Sequence, residues 1–191
     1  MHMKKLIHFR YFMVYFMVLF LLLGGAGVAA TDTGRDPYTY FFNETWGQFP
    51  EELEKARAEG KQGILLFFEL DECPFCHRMK TTVLNQPEVQ AFFREHFLNF
   101  AIDIEGDVEM TDFNGKLTTQ KTFSEKDNRV RATPVFAFYD LQGKQIVRYT
   151  GATSGVDEFL LLGEFVAQGI YKEMPFTKYK RMKAKAARQA Q

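Results

Sequence analysis

Cys73 and Cys76 are the only cysteines in the chain, and two residues, Pro74 and Phe75, separate them. A lone cysteine pair at this C-x-x-C spacing is typical of a redox centre that alternates between a dithiol and a disulfide. The thiolate is the reactive form in such exchange, so one member of the pair must lie where negative charge is favoured. The spacing therefore predicts thiol–disulfide exchange as the chemistry of this chain.

Two other interpretations of the same residues stay open. His77 follows Cys76 directly, which completes the C-x-x-C-H pattern of c-type haem attachment, with His77 as one axial ligand. The opposite ligand would be a methionine, for which the candidates are Met110, Met174 and Met182. Alternatively, the pair is a structural disulfide in a binding module, although a bridge that closes so short a loop stabilises a fold little. A zinc site is not expected, because no second cluster of ligands accompanies the pair.

The segments on either side of the pair predict how it is positioned. The apolar run over residues 64–68 is typical of a buried strand, and residues 77–84 favour a helix. Pro74 suits the first helical position, which leaves Cys73 at the cap. The unpaired N–H groups there favour a thiolate at Cys73, the expected attacking thiol. Cys76 lies nearly one turn deeper, so we expect it to be less exposed and to release mixed disulfides formed at Cys73.

The first 30 residues have the composition of a secretory signal or of a membrane anchor. Three basic residues precede an uncharged apolar run from Tyr11 to Val28. The small residues that end this run suit cleavage before Thr31. The run is nearly long enough to span a bilayer, so cleavage and anchoring by residues 11–30 both stay open. In either case we expect the folded part to be periplasmic or secreted, where disulfides persist.

The rest of the chain has the size and charge of one ordinary globular domain. The sequence has 191 residues, with 24 basic and 24 acidic side chains. Because the first 30 residues hold three of the bases and no acid, residues 31–191 carry 21 bases and 24 acids, a balance of −3. This balance gives no indication of nucleic-acid binding.

Patterns along the chain predict the remaining elements. Residues 31–45 form an irregular lead-in, Trp46 belongs to the core, and the domain extends over residues 46–172. Asn114-Gly115 is a strong turn signal, which indicates a small hairpin insertion. A basic tail over residues 173–191 is expected to be solvated and mobile, with docking to a membrane surface or a partner as the alternative. Helices are expected over residues 50–59, 87–97, 120–128 and 156–168, and strands over 98–104, 135–139 and 145–149.

The order of these elements resembles the thioredoxin superfamily over residues 45–172. The motifs that carry the resemblance are Cys73-Pro74-Phe75-Cys76 and Thr133-Pro134. The resemblance implies a thioredoxin fold, which is an α/β fold with a central mixed β-sheet flanked by helices, and places the small hairpin insertion before a cis-proline. It also implies a disulfide between Cys73 and Cys76, a cis peptide bond at Pro134, and a substrate-contact surface made of Phe75, Thr133 and Pro134.

Within the superfamily, the chain resembles exported thioredoxin-like proteins of the bacterial sulfur-oxidation (Sox) system and the C-terminal domain of the thiol transporter DsbD. The supporting stretches are residues 66–69, 83–89, 102–107 and 148–151. This resemblance implies a protein that reduces disulfides of exported proteins with cysteines, receives electrons from a membrane thiol donor and binds no cofactor. An oxidising, disulfide-forming protein of the same fold is the alternative.

The chain departs from the thioredoxin pattern in two places. Many members have a buried aspartate six residues before the first cysteine, where this sequence has Phe67. Glu69 or Asp71 could replace that proton relay, but we expect both carboxylates to be solvated. The intervening residues Pro74 and Phe75 add no charge near the thiolate, which favours the reductive direction.

Overall fold

The computed structural model describes residues 34–189, so the predicted signal segment or anchor over residues 1–30 lies outside the described residues. A π-helical turn, Phe123–Asp127, continues the short helix Gln120–Thr122, and a 3-10 turn, Ile170–Lys172, precedes the last helix, Phe176–Gln189. No helix in the described range combines the length and apolarity needed to cross a membrane. The helices are α1 Pro37–Tyr40, α2 Phe49–Ala58, α3 Pro74–Thr82, α4 Pro87–His96, α5 Gln120–Thr122, α6 Val156–Ala167 and α7 Phe176–Gln189. The strands are β1 Gly63–Glu69, β2 Phe97–Asp103, β3 Glu109–Thr111, β4 Leu117–Thr119, β5 Val135–Tyr139 and β6 Gln145–Thr150.

Four strands form one mixed sheet in the order β2-β1-β5-β6, which confirms the predicted central sheet. Strand β1 runs parallel to β2 and antiparallel to β5, and β6 pairs antiparallel with β5. Every residue of β1 is buried, because helices cover both of its faces. This burial explains why residues 64–68 of β1 form an uninterrupted apolar run and do not alternate with polar residues.

Alternate side chains of β1 enter two hydrophobic clusters, one on each face of the sheet. Leu65 and Phe67 belong to the cluster that also contains both cysteines and the buried residues of α4 and α6. Ile64, Leu66 and Phe68 belong to the cluster on the other face, with α2 and the π-helical turn. The cysteine pair therefore rests on a packed core.

Strands β3 and β4 form a separate two-stranded hairpin, which confirms the predicted insertion before the cis-proline. The turn contains Gly115 at a φ of 80°, a conformation that glycine adopts at little cost. The Asp112 carboxylate accepts hydrogen bonds from the backbone N–H groups of Asn114 and Lys116 at 2.8 and 2.9 Å. These bonds, together with the glycine, define the turn.

The prediction that Trp46 belongs to the core is wrong. Its side chain is 94% exposed, whereas Phe49, three residues later, is fully buried. Gly47 between them has a φ of 75°, and the chain turns there before α2 begins at Phe49. The aromatic residue that fills the core beneath α2 is thus Phe49.

The lead-in, which we expected to be irregular, contains a helical turn and two core residues. The Asp36 carboxylate caps α1 by accepting hydrogen bonds from its first N–H groups. After the turn, Phe41 and Phe42 are buried in the same cluster as the cysteine pair. The lead-in is therefore part of the core.

The basic tail, which we expected to be mobile, forms helix α7. Tyr179 is 2% exposed and packs in the cluster beside α6. Lys180 pairs with Glu158 of α6 at 2.6 Å, and Lys183 with Glu164 at 3.3 Å. One aromatic anchor and two ion pairs thus hold α7 against the domain.

Candidate active site

Cys73 and Cys76 form a disulfide where the β1–α3 loop enters the helix. Cys73 is the N-cap residue and Pro74 the first helical residue, as the sequence predicts. The Cys73 Sγ atom accepts a hydrogen bond from the backbone N–H of Cys76 at 3.0 Å. That N–H belongs to the first turn of α3, whose donors have no helical acceptor, so the position favours negative charge on Sγ.

The two cysteines differ in their access to solvent. Cys73 is 6% exposed and Cys76 is 1% exposed, in a cluster that also contains Met79 and Phe136. A partner protein can therefore approach the sulfur of Cys73 more readily than that of Cys76. This is the arrangement that an attacking thiol and a resolving thiol require.

Phe75 lies between the two cysteines in the sequence, and it is 59% exposed, as the sequence predicts. The guanidinium of Arg78 lies 5.8 Å from the centroid of its ring. Arg78 also donates a hydrogen bond to the backbone carbonyl of Thr153 at 3.1 Å, and the Thr153 hydroxyl lies 3.6 Å from Sδ of Met79. These contacts fix α3 against the loop that follows β6 and support one face of the Phe75 ring.

Thr133 and Pro134 lie at the start of β5, and the peptide bond between them is cis, as the resemblance implied. In the register of the two strands, Phe68 of β1 pairs with Val135 of β5. Pro134 is therefore level with the end of β1, where the loop to Cys73 begins. The structure thus places Thr133 and Pro134 at the same end of the central strands as the cysteine pair.

Sequence reasoning missed a polar cluster in which the buried carboxylate of Glu69 is bonded by Lys80 and by the half-exposed Tyr38. Glu69 is 5% exposed, so the expectation that it is solvated is wrong. Its carboxylate accepts a hydrogen bond from Lys80 Nζ at 2.5 Å and another from the Tyr38 hydroxyl at 2.8 Å. Lys80 also donates to the Tyr38 hydroxyl oxygen at 2.8 Å. The cluster joins α1, the end of β1 and the active-site helix α3, whereas Asp71 is exposed as expected.

The cluster changes the acidity of two of its members. Burial alone would lower the pKa of Lys80, but hydrogen bonds to Glu69 and Tyr38 outweigh it and raise that pKa. Burial is the main cause that raises the pKa of Tyr38, and the neighbouring Glu69 carboxylate acts in the same direction. Both groups therefore keep their protons at neutral pH, and Lys80 stays a cation paired with Glu69.

The haem interpretation receives no support from this geometry. Thioether attachment would need both sulfurs to face a haem, whereas Cys76 is buried and bonded to Cys73. His77 is exposed on α3, one residue beyond the pair. The pair instead lies between a buried strand and a helix, the placement expected of a redox centre.

A family model described as a thioredoxin-like domain matches residues 49–167. The chain belongs to this family. The match includes both cysteines, Phe75 and the Thr133-Pro134 step, and it confirms the predicted thioredoxin superfamily. Among curated proteins, none matches the sequence.

Solved structures agree with the family assignment at the level of the fold. A thioredoxin-fold protein from Helicobacter pylori is 21% identical, covers 79% of this chain and 99% of its own, and has a TM-score of 0.59. DsbH oxidoreductase is 20% identical, covers 76% of this chain and 95% of its own, and has a TM-score of 0.51. The reduced C-terminal domain of DsbD from Neisseria meningitidis is 18% identical, covers 59% of this chain and 88% of its own, and has a TM-score of 0.45. The first two similarities confirm the thioredoxin fold.

Proposed function

We propose that this protein is an exported thiol–disulfide oxidoreductase that reduces disulfides in other exported proteins. The observation that carries the proposal is the N-cap position of Cys73, whose sulfur accepts the N–H of Cys76 ahead of a more deeply buried second sulfur. Membership of the thioredoxin-like family supports the same chemistry. The exposed ring of Phe75, with Thr133 and Pro134, is the proposed contact surface for partners.

The exchange that we propose has two steps. The Cys73 thiolate attacks one sulfur of a partner disulfide, and the other partner sulfur leaves as a thiolate. Cys76 loses its proton to solvent and attacks Sγ of Cys73, which releases the second partner sulfur as a thiolate. Two electrons pass to the partner, whose thiolates take up protons from solvent, and the Cys73–Cys76 disulfide forms. A dithiol donor must then reduce this disulfide, and we propose a membrane thiol transporter for that role.

The charges around the pair support the reductive direction. Disulfide-forming oxidants have a high reduction potential when their reduced, dithiol form is stabilised. Here the nearby cation Lys80 is already paired with Glu69. The exposed carboxylates of Asp71 and Glu72 directly precede Cys73 and disfavour a negative charge on its sulfur. The direct stabilisation of a Cys73 thiolate would come from the backbone N–H of Cys76 in the first turn of α3.

The reduction potential of the cysteine pair tests the direction. The protein is equilibrated with defined thiol–disulfide buffers, and the fraction of reduced protein is measured by alkylation of its free thiols. We expect a potential near that of thioredoxin, about −270 mV. A potential near about −120 mV, typical of a disulfide-forming oxidant, would overturn the reductive assignment and leave the exchange chemistry intact.

Trapping of partners tests the exchange itself. Cys76→Ser leaves the Cys73 thiol without its resolving partner, so exported proteins should accumulate on it as mixed disulfides. Cys73→Ser is the matched control, because it keeps one thiol in the same helix turn but at the buried position. Trapping by Cys76→Ser alone supports the proposed roles. If neither variant traps a partner, the disulfide is structural.

The periplasm is the proposed location. Support comes from the apolar run between Tyr11 and Val28, which is typical of a signal or an anchor. Fractionation of cells that express the full chain should place the protein in the periplasm if the segment is removed and in the membrane if it is kept. A cytoplasmic protein with reduced cysteines would contradict this location.

A further inference from the structure

Helix α7 carries six basic side chains and no acidic one. Its inner face docks on α6 through the buried ring of Tyr179 and the ion pairs of Lys180 and Lys183. Docking of the helix therefore accounts for two of the six cations. The other four need a separate explanation, since unpaired like charges on one helix repel each other and favour its unfolding.

These four cations lie on a single face of α7. We name them the basic stripe, and its members are Lys178, Arg181, Lys185 and Arg188. Their spacing of three, four and three residues follows the helical repeat, so the stripe extends along one side for about 15 Å. All four are exposed, and within residues 34–189 none of them forms an ion pair.

An exposed apolar residue lies beside the basic stripe, near the middle of its length. Met182 lies one turn beyond Lys178 and one residue after Arg181, and its side chain is 49% exposed. A straight row of cations with an exposed apolar side chain is typical of helices that lie on an anionic lipid surface, where the cations meet headgroups and the apolar group enters the acyl boundary.

We propose that the basic stripe of α7 binds the anionic headgroups of a membrane surface. The compartment supports a lipid partner, because the N-terminal sequence predicts export, and export brings the protein to membrane surfaces and separates it from the nucleic acids inside the cell. The orientation of α7 also supports it. Its own ion pairs point towards α6 and its uncompensated charge points away from the domain, so binding needs no rearrangement of the fold.

Vesicle binding by the full chain tests this proposal. Binding is compared between vesicles of phosphatidylcholine and vesicles that also contain phosphatidylglycerol, so that any contribution of the N-terminal apolar segment cancels. Each basic side chain near an anionic surface strengthens binding roughly fivefold, and four act together by several hundred-fold. We therefore expect preferential binding to the anionic vesicles, weakened by added salt.

A matched pair of variants separates the basic stripe from net charge. In the stripe variant, Lys178, Arg181, Lys185 and Arg188 are changed to glutamine. In the control variant, four exposed lysines without ion pairs near the hairpin and the π-helical turn are changed to glutamine, namely Lys116, Lys121, Lys126 and Lys144. The stripe variant should lose the preference for anionic vesicles, and the control variant should keep it.

Amide hydrogen exchange provides a second readout if the N-terminal segment holds all of the protein on both kinds of vesicle. The amides of α7 should then exchange at least tenfold more slowly on anionic than on neutral vesicles in the wild-type protein and in the control variant. Equal exchange on both vesicles, or an equal loss in both variants, overturns the proposal.

Discussion

Replacing Lys80 with methionine should lower the free energy of unfolding by about 3 kcal/mol, because it leaves the Glu69 carboxylate buried without its cation. The side chains of Lys80 and Glu69 are 18% and 6% exposed, so water replaces the lost ammonium poorly. Loss of one partner from a buried ion pair costs about 3–5 kcal/mol. Tyr38 still donates a hydrogen bond to the carboxylate, which places the expected loss at the lower end of this range.

Glu69→Gln is the matched control for this prediction. It leaves Lys80 without its anion, but the long side chain can carry the ammonium to water, so we expect a loss of about 1–2 kcal/mol. The double variant removes both charges, and removal of a whole buried pair is often close to neutral. We expect the double variant to cost about 1–2 kcal/mol, less than Lys80→Met alone, which corresponds to a coupling energy of about 3 kcal/mol.

Urea unfolding at neutral pH, followed by circular dichroism with the disulfide intact, measures all three losses. The loss in Lys80→Met corresponds to a decrease in Tm of roughly 6–12 °C for a domain of this size. If Lys80→Met costs less than about 1 kcal/mol, or if the double variant equals the sum of the singles, then the pair is solvated and the reasoning from burial is wrong.

Three further predictions concern α6 and the contact surface. Hydrogen bonds from Lys180 and Ser154 outweigh the effect of burial and lower the pKa of Glu158 to about 2. Ionised Glu158 therefore stabilises the fold. Its contribution to the free energy of unfolding is complete above the unfolded pKa of 4.5 and is lost as the pH falls towards 2. Glu158→Gln should remove this pH dependence of Tm in thermal melts between pH 4.5 and 2. Gly163→Ala should cost about 1–3 kcal/mol in urea unfolding, because the added Cβ would lie 2.5 Å from a ring carbon of Phe92. Phe75→Ala should raise KM for protein disulfides several-fold and leave the reduction potential unchanged, since its exposed ring is placed to contact partners.

The sequence predicted β1 and α3 well because each signal there is local. Residues 64–68 of the buried strand form an apolar run, and the C-x-x-C pair with Pro74 marks the start of the helix. Trp46 was misplaced because hydrophobicity alone does not show which of two nearby aromatic residues enters the core. The turn at Gly47 decides that question, and only the tertiary contacts of α2 reveal it.

The polar cluster around Glu69 was missed because its members are far apart in the sequence. Glu69 lies 31 residues after Tyr38 and 11 residues before Lys80, so no periodic pattern links them. A carboxylate at the end of a fully buried strand was the only available signal. The same reason explains why the tail was predicted to be mobile. The contacts that hold α7, those of Tyr179 and Lys180, are made with α6 and leave no pattern within the tail itself.

Two basic side chains of the active-site helix hold it against the rest of the domain. Arg78 bonds the loop after β6, and Lys80 bonds the end of β1. The Cys73 sulfur accepts the backbone N–H of Cys76, and the charge of Lys80 is balanced by Glu69. Lys80→Met should therefore change the free energy of unfolding and leave the reduction potential close to its original value. A large change in that potential would show that the Lys80 charge reaches the cysteine pair despite its partner Glu69.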